Sequence, residues 1–283
     1  MENSIDTKLQ LLVKDIIAKK ELRNLDDTFV REKAWAFLKT HPKTSEKFGD
    51  VDYSKFKRSK EYKELIKSIR GGLREVYGVF IMKDYNKRRK LLEELKKNPS
   101  KENHDKILAL HKSSKERLPY YGLVYKKIFE ITGQPKRIVD FACGLNPFSY
   151  PYLGCASRYL ASDLAGKDLE FINDYFKSMK IEGKTKRIDL IKDEISEIAE
   201  EQNVVFLFKT LDSLEAIKKN ISRDVLRALK AKFIIVSFST KSLGGKVTIK
   251  KERRAWFEKL MKHLGYTFKT FEIPDEIFYI ITK

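Results

Sequence analysis

Arg137-Ile-Val-Asp-Phe-Ala-Cys-Gly-Leu-Asn-Pro147 decides the fold of this chain: an apolar run carries an acid, Asp140, and passes within a few residues into a glycine turn. A buried strand that delivers its carboxyl end into such a turn is where an open α/β sheet holds a nucleotide-like ligand. A second apolar run, Tyr159-Leu-Ala-Ser-Asp163, closes on another acid at about the spacing where the next strand of a nucleotide-binding unit places a ribose-binding carboxylate. The pair points to an enzyme that binds an adenosyl cofactor.

Outward from this stretch, the pattern from about residue 134 onward alternates strand and helix, the mark of a parallel sheet with covering helices. Strands are expected at Arg137–Phe141, Arg158–Ser162, Thr185–Ile188, Val204–Phe208 and Phe233–Phe238, with apolar runs that read as buried on both faces. Helices are expected at Lys167–Met179, Leu211–Leu229 and Lys250–Leu264, and the tail from Tyr266 to Ile281 reads as a closing hairpin at the sheet edge. The first part of the chain reads as helices instead. Leu9, Leu12, Val13, Ile16 and Ile17 form one stripe, and Asp26-Asp27 can cap a second helix through Phe29, Ala34, Trp35 and Leu38. Further helical patterns run through Tyr62–Val76 and Met82–Leu95, the latter ending at the Asn98-Pro99 breaker.

Charge bounds the partner. The 283 residues hold 59 Lys+Arg against 40 Asp+Glu, a formal net charge of +19, which draws phosphate polymers or anionic membrane. The excess is concentrated: residues 51–130 carry 22 basic and 11 acidic side chains, whereas residues 1–50 carry 10 and 9. No basic segment precedes an apolar core at the start and no run approaches a membrane span, so a cytoplasmic protein with no membrane partner is expected. Cys143 and Cys155 stand without a CxxC or a histidine companion, and the four histidines are scattered. Neither a disulfide framework nor a metal site is indicated.

Ligands of such sheets bind beyond the carboxyl ends of the strands, so the residues that end each strand matter most. Gly144 lets the backbone approach a ligand, Asp163 can accept from two ribose hydroxyls, and Asp189 is placed to meet an adenine amino group. Lys209 follows the fourth strand. Asp140 and Asp189 also suit plain strand-end caps. The turn Cys143-Gly-Leu-Asn-Pro147, with one glycine and a proline, departs from the GxGxxG that seats a pyrophosphate on a helix N-terminus. The acids fit a class I S-adenosylmethionine-dependent methyltransferase better than a dinucleotide dehydrogenase.

Longer strings sharpen this. His111-Lys-Ser-Ser-Lys-Glu-Arg-Leu118, Asp140-Phe-Ala-Cys-Gly-Leu-Asn-Pro147, Leu207-Phe-Lys-Thr-Leu211 and Val236-Ser-Phe-Ser-Thr-Lys-Ser-Leu-Gly-Gly-Lys246 occur in that order, and together they resemble the Arm/Rmt (FmrO-like) family of aminoglycoside-resistance 16S rRNA guanine-N7 methyltransferases. Ile69-Arg-Gly-Gly-Leu-Arg-Glu-Val-Tyr-Gly-Val79 is similar to the segment that ends the family's ribosome-docking domain. Phe141, the loop Leu164-Ala-Gly166 and Leu190 after Asp189 depart from the resistance enzymes, and the chain is more lysine-rich. A housekeeping relative from another lineage would show such departures.

The resemblance implies an α/β class I S-adenosylmethionine-dependent (Rossmann-like) fold over residues 111–283, behind an N-terminal helical, basic docking domain over residues 1–110. It implies 16S rRNA (guanine(1405)-N7)-methyltransferase activity on the decoding site of the 30S subunit, with aminoglycoside resistance as a potential outcome; the oligomeric state stays open, with a monomer as the default. S-adenosyl-L-methionine would be held by Arg117 at its methionine carboxylate, by Gly144, Asp163 and Asp189, and by Phe208. Lys209 would lie beside the target base, and Thr240–Lys246 would form a loop over the site mouth. Guanine N7 presents a lone pair and no proton, so transfer asks for in-line placement and no general base. Lys209 then reads as a contact to phosphate or guanine O6. RNA contacts are expected from Lys55, Lys57, Arg58, Lys87, Arg88, Arg89 and Lys90, joined by Lys241 and Lys246. Alternatives are a methyltransferase for another rRNA or tRNA base, and a non-catalytic ribosome-binding protein that keeps the fold.

Overall fold

The computed structural model describes residues 2–200, 203–241 and 254–283, which divide into two compact units: Met1–Ile81 with Leu164–Lys167, and Met82–Asp163 with Asp168–Lys283. In the first unit the predicted stripe forms the helix Glu2–Ile17, and Asp26 caps the helix Asp27–Thr40 by accepting from the amides of Thr28 (3.0 Å) and Phe29 (3.2 Å). These helices meet Pro42–Asp50 and Lys60–Val76 over a core that includes Leu12, Ile16, Val30, Phe48, Phe56 and Leu65. Each such side chain removed from water contributes roughly 1.5–3 kcal/mol before the entropy of ordering it is set against it.

The division after Ile81 falls earlier than residue 110. Helix Lys101–Leu108 packs on the turn Asn146–Tyr152, the Tyr152 hydroxyl donates to Asp105, and the Met82 amide donates to the carbonyl of Leu110 at 3.1 Å. The segment from Met82 is thereby built into the unit that carries the sheet. The helix expected from Met82 begins only at Arg88, after a 3-10 turn at Tyr85–Lys87, and it stops at Asn98 as the breaker requires.

Among the described residues the sheet has seven strands: β1 (Arg137–Phe141), β2 (Arg158–Asp163), β3 (Gly183–Arg187), β4 (Val204–Phe208), β5 (Phe233–Ser239), β6 (Thr267–Ile273) and β7 (Glu276–Thr282). Their order is β3-β2-β1-β4-β5-β7-β6, parallel except for β7, which runs antiparallel to both β5 and β6. This is the class I methyltransferase arrangement. The order reverses between β1 and β4, so the crevice for a ligand opens beyond the carboxyl ends of those two strands.

β1, β4 and β5 are buried on both faces as their apolar runs demand, but β3 is not. It starts two residues and ends one residue earlier than expected and reads Gly-Lys-Thr-Lys-Arg, an edge strand whose lysines face solvent. The helix expected over Leu211–Leu229 is two helices, Leu211–Ile217 and Ile221–Ala228, parted by Asn220 in a left-handed conformation (φ 64°). The last covering helix is Ala255–Leu264. None of the described helices is long and apolar enough to cross a membrane.

Candidate active site

The turn after β1 is narrowly constrained. Ala142 and Gly144 both have positive φ (49° and 50°), and a Cβ on Gly144 would come within 2.8 Å of the His111 ring, so only glycine fits there. The Gly144 amide donates to the Asp163 carboxylate at 3.0 Å, which ties the turn to the tip of β2. Burial, with the Arg117 and Lys209 cations behind it, pushes the His111 pKa down to about 3, so the imidazole beside this turn stays neutral.

Asp140, in β1, points into the protein and not to the rim. It accepts from the Tyr159 hydroxyl (2.6 Å) and the Asn146 side-chain amide (2.9 Å), and burial still pushes its pKa up to about 6. Asn146 passes the connection on, because its carbonyl oxygen accepts from Arg117 (3.1 Å) and from the Tyr121 hydroxyl (3.0 Å).

Arg117, expected to reach a ligand carboxylate, is only 1% exposed and already has one. Its Nε and one terminal nitrogen donate to the two oxygens of Glu276 at 3.2 and 2.6 Å, and the same terminal nitrogen meets Ser113 at 3.3 Å. The other terminal nitrogen meets Asn146 and Tyr121 (3.4 Å), so all five N–H donors have acceptors within the protein. The guanidinium also lies 4.6 Å over the ring of Phe208, which is itself stacked on Phe206. The carboxylate that Arg117 meets in this geometry is Glu276.

Lys209 stands at the end of β4 in a left-handed conformation (φ 54°), with its amide donating to the carbonyl and hydroxyl oxygens of Ser237, each at 3.0 Å. Its ammonium, 7% exposed, is 2.7 Å from Glu116 and 3.5 Å from Glu276. Burial alone would raise the Glu276 pKa, but the Arg117 and Lys209 cations hold it below the usual carboxylate range. Asp189, past the end of β3, is buried and closes its own turn: it accepts from the Ile191 amide at 3.0 Å, and its amide donates to Asp193 at 2.8 Å.

The expected RNA contacts fall in both units. In the first, Lys55 and Arg58 are exposed, while Lys57 pairs with Asp15 at 2.8 Å. A groove of about 520 Å³ on that unit, lined by Tyr62, Lys63, Lys67, Arg70 and Arg74, opens along one stripe of the helix Lys60–Val76. In the second unit Lys87, Arg89 and Lys90 are exposed beside Asp84, Asp174 and Glu94. Arg88 corrects the expectation: its side chain, 14% exposed, is turned toward Asp168 and the rings of Tyr85 and Phe171, because the helix face it occupies is the one that packs inward. Lys241 pairs with Asp275 at 2.6 Å, whereas Lys246 and most of the Thr240–Lys246 loop lie outside the described residues.

Sequence reading missed Asn146, Glu116 and Ser237 as members of the site although each lies in a string already singled out. It had no signal at all for Glu276, which topology alone brings here.

The profile of the ribosomal RNA methyltransferase (FmrO) family matches residues 38–280. This chain belongs to that family. Among curated members, a 16S rRNA (guanine(1405)-N(7))-methyltransferase of Frankia casuarinae is 29% identical over 78% of this chain and 80% of its own length. The enzyme of the same description from Micromonospora echinospora is 28% identical over 78% and 83%. The crystal structure of the 16S rRNA methyltransferase RmtF in complex with S-adenosyl-L-homocysteine superposes with a TM-score of 0.79 at 25% identity, covering 98% of each chain. The family fold accounts for the strand order, and family membership makes the crevice beyond β1 and β4 the place to look for its chemistry.

Proposed function

We propose that this chain is a 16S rRNA (guanine(1405)-N7)-methyltransferase that uses S-adenosylmethionine and acts on the 30S subunit, as a monomer in the cytoplasm. The observation that carries the reading is the Gly144 amide held against the Asp163 carboxylate at the strand tips, in a chain of the FmrO family. The residues fit an adenosyl donor. Gly144 keeps the turn narrow, Asp163 is a carboxylate at the rim suited to ribose hydroxyls, and Asp189 lies at the next strand end with the purine expected beside it. Phe208, with the Arg117 guanidinium 4.6 Å over its ring, is assigned to the same site.

When bound, the donor would supply an electrophilic methyl to the guanine N7 lone pair, its thioether being the leaving group and a cationic base the product. The protein's part is placement. No residue has to remove a proton from N7, and the His111 imidazole beside the Gly144 turn is held neutral by its burial. Lys209 is the acceptor-side cation, suited to guanine O6 or a flanking phosphate. Docking on rRNA is assigned to the exposed cations Lys55, Arg58, Lys87, Arg89 and Lys90 and to the groove of Lys63, Lys67, Arg70 and Arg74.

The test is transfer of labelled methyl from S-adenosylmethionine to intact 30S particles and to naked 16S RNA, followed by mapping of the modified nucleotide. Label at N7 of guanine(1405) in 30S particles is expected. Label at another base moves the acceptor, and no transfer to any RNA refutes the enzyme.

A further inference from the structure

The acid of this site that no strand-end pattern announces is Glu276, and it sits at the centre of the charges. One carboxylate oxygen accepts from Arg117 at 2.6 Å and from the Ser237 hydroxyl at 2.5 Å; the other accepts from the Arg117 Nε at 3.2 Å and faces the Lys209 ammonium at 3.5 Å. A bidentate guanidinium and a hydroxyl in this geometry leave a carboxylate one orientation.

Lys209 is held at both ends by the same cluster. Ser237 takes its amide and so supports the left-handed backbone, which a lysine seldom adopts, while Glu116 and Glu276 take its ammonium from two sides. A lysine with four rotatable bonds that is free to sweep would have to be ordered at every turnover. Here that ordering is complete before RNA arrives.

We propose that Glu276 is a positioning residue of the methyl-transfer site: it aims the Lys209 ammonium at the acceptor base, with Arg117 and Ser237 serving to fix Glu276. Arg117 thus acts as a buried counter-cation within the protein. This inference rests on the reading of Lys209 as the acceptor-side cation. It places the carboxyl-terminal hairpin, and not only the parallel strands, among the elements that build the site.

A double-mutant cycle tests it. Single-turnover methyl transfer to 30S particles is measured for wild type, Glu276→Gln, Lys209→Met and the double variant, with S-adenosylhomocysteine affinity measured by calorimetry alongside. Glu276→Gln is expected to slow transfer at least 10-fold in the wild-type background, to change cofactor affinity less than 3-fold, and to cost less than 2-fold once Lys209 is Met. Equal losses in both backgrounds, or no loss in either, overturn the proposal. If Glu276→Gln does not unfold cooperatively, Ser237→Ala serves in its place, with a several-fold loss that likewise disappears with Lys209→Met. Wild-type protein inactive on every RNA would refute the functional reading and this inference together, whereas active wild type with equally active Glu276→Gln refutes the inference alone.

Discussion

The Gly144 amide and the Asp163 carboxylate meet at 3.0 Å across the tips of β1 and β2, so the two parts of the chain that would touch the donor are already bonded to each other. The glycine is fixed by φ 50° and by the His111 ring, 2.8 Å from where a Cβ would stand. Gly144→Ala should therefore lower stability by about 1–3 kcal/mol and weaken S-adenosylhomocysteine binding by at least tenfold. Calorimetry on a variant that still unfolds cooperatively decides it, and unchanged affinity would mean the turn does not shape the pocket.

Asp163→Asn keeps the shape of the side chain and removes its charge. Cofactor affinity should fall roughly 10- to 100-fold, the scale of one or two charge-assisted hydrogen bonds. The thermal midpoint should move little, because Asp163 lies at the half-exposed end of β2. Affinity matching wild type would remove Asp163 from the site.

Asp140 and His111 give opposite pH dependences. The folded pKa of Asp140 is raised from 3.8 to about 6, so its contribution is fully present below pH 3.8 and is lost as pH rises toward 6, by up to about 3 kcal/mol. His111 is lowered from 6.5 to about 3, so stability is lost as pH falls from 6.5 toward 3. Between pH 4 and 6 the two offset each other. Asp140→Asn should uncover the histidine term, giving a thermal midpoint that climbs with pH over that window more steeply than in wild type; parallel curves would contradict the Asp140 assignment, and a flat curve for the variant the His111 one.

Lys63→Ala with Lys67→Ala strips two cations from the groove of the helical unit without touching its core. Affinity for 30S particles should fall severalfold, and the log–log salt slope should shrink by about 2, one unit for each phosphate that is no longer neutralised. S-adenosylhomocysteine binding should not change. A slope identical to that of wild type would place the RNA elsewhere.

Much of this architecture was legible in the residues. β1 and β4 are apolar without interruption because both faces are covered, and Asp26 caps its helix as the Asp-Asp pair foretold. β3 was misplaced because an edge strand alternates and exposes lysine, so it carries little of the apolar signal. The long helix after β4 broke at Asn220, whose left-handed turn nothing in the apolar spacing reveals. Within the site, Gly144, Asp163 and Lys209 stand out because each closes a strand or its turn. Arg117 stands out through its string, but its contact with Glu276, 159 residues away, does not, because the two meet only through sheet topology. Arg88 looked like one of four equivalent cations until the helix face it occupies was known.

β7 enters between β5 and β6, and its first residue is Glu276. A frameshift or stop codon ahead of this point would leave the β5 edge bare and strand two cations at the crevice in the same stroke. Shortening the chain from this end thus removes a neighbour of β5 and the counter-charge of Arg117 and Lys209 together.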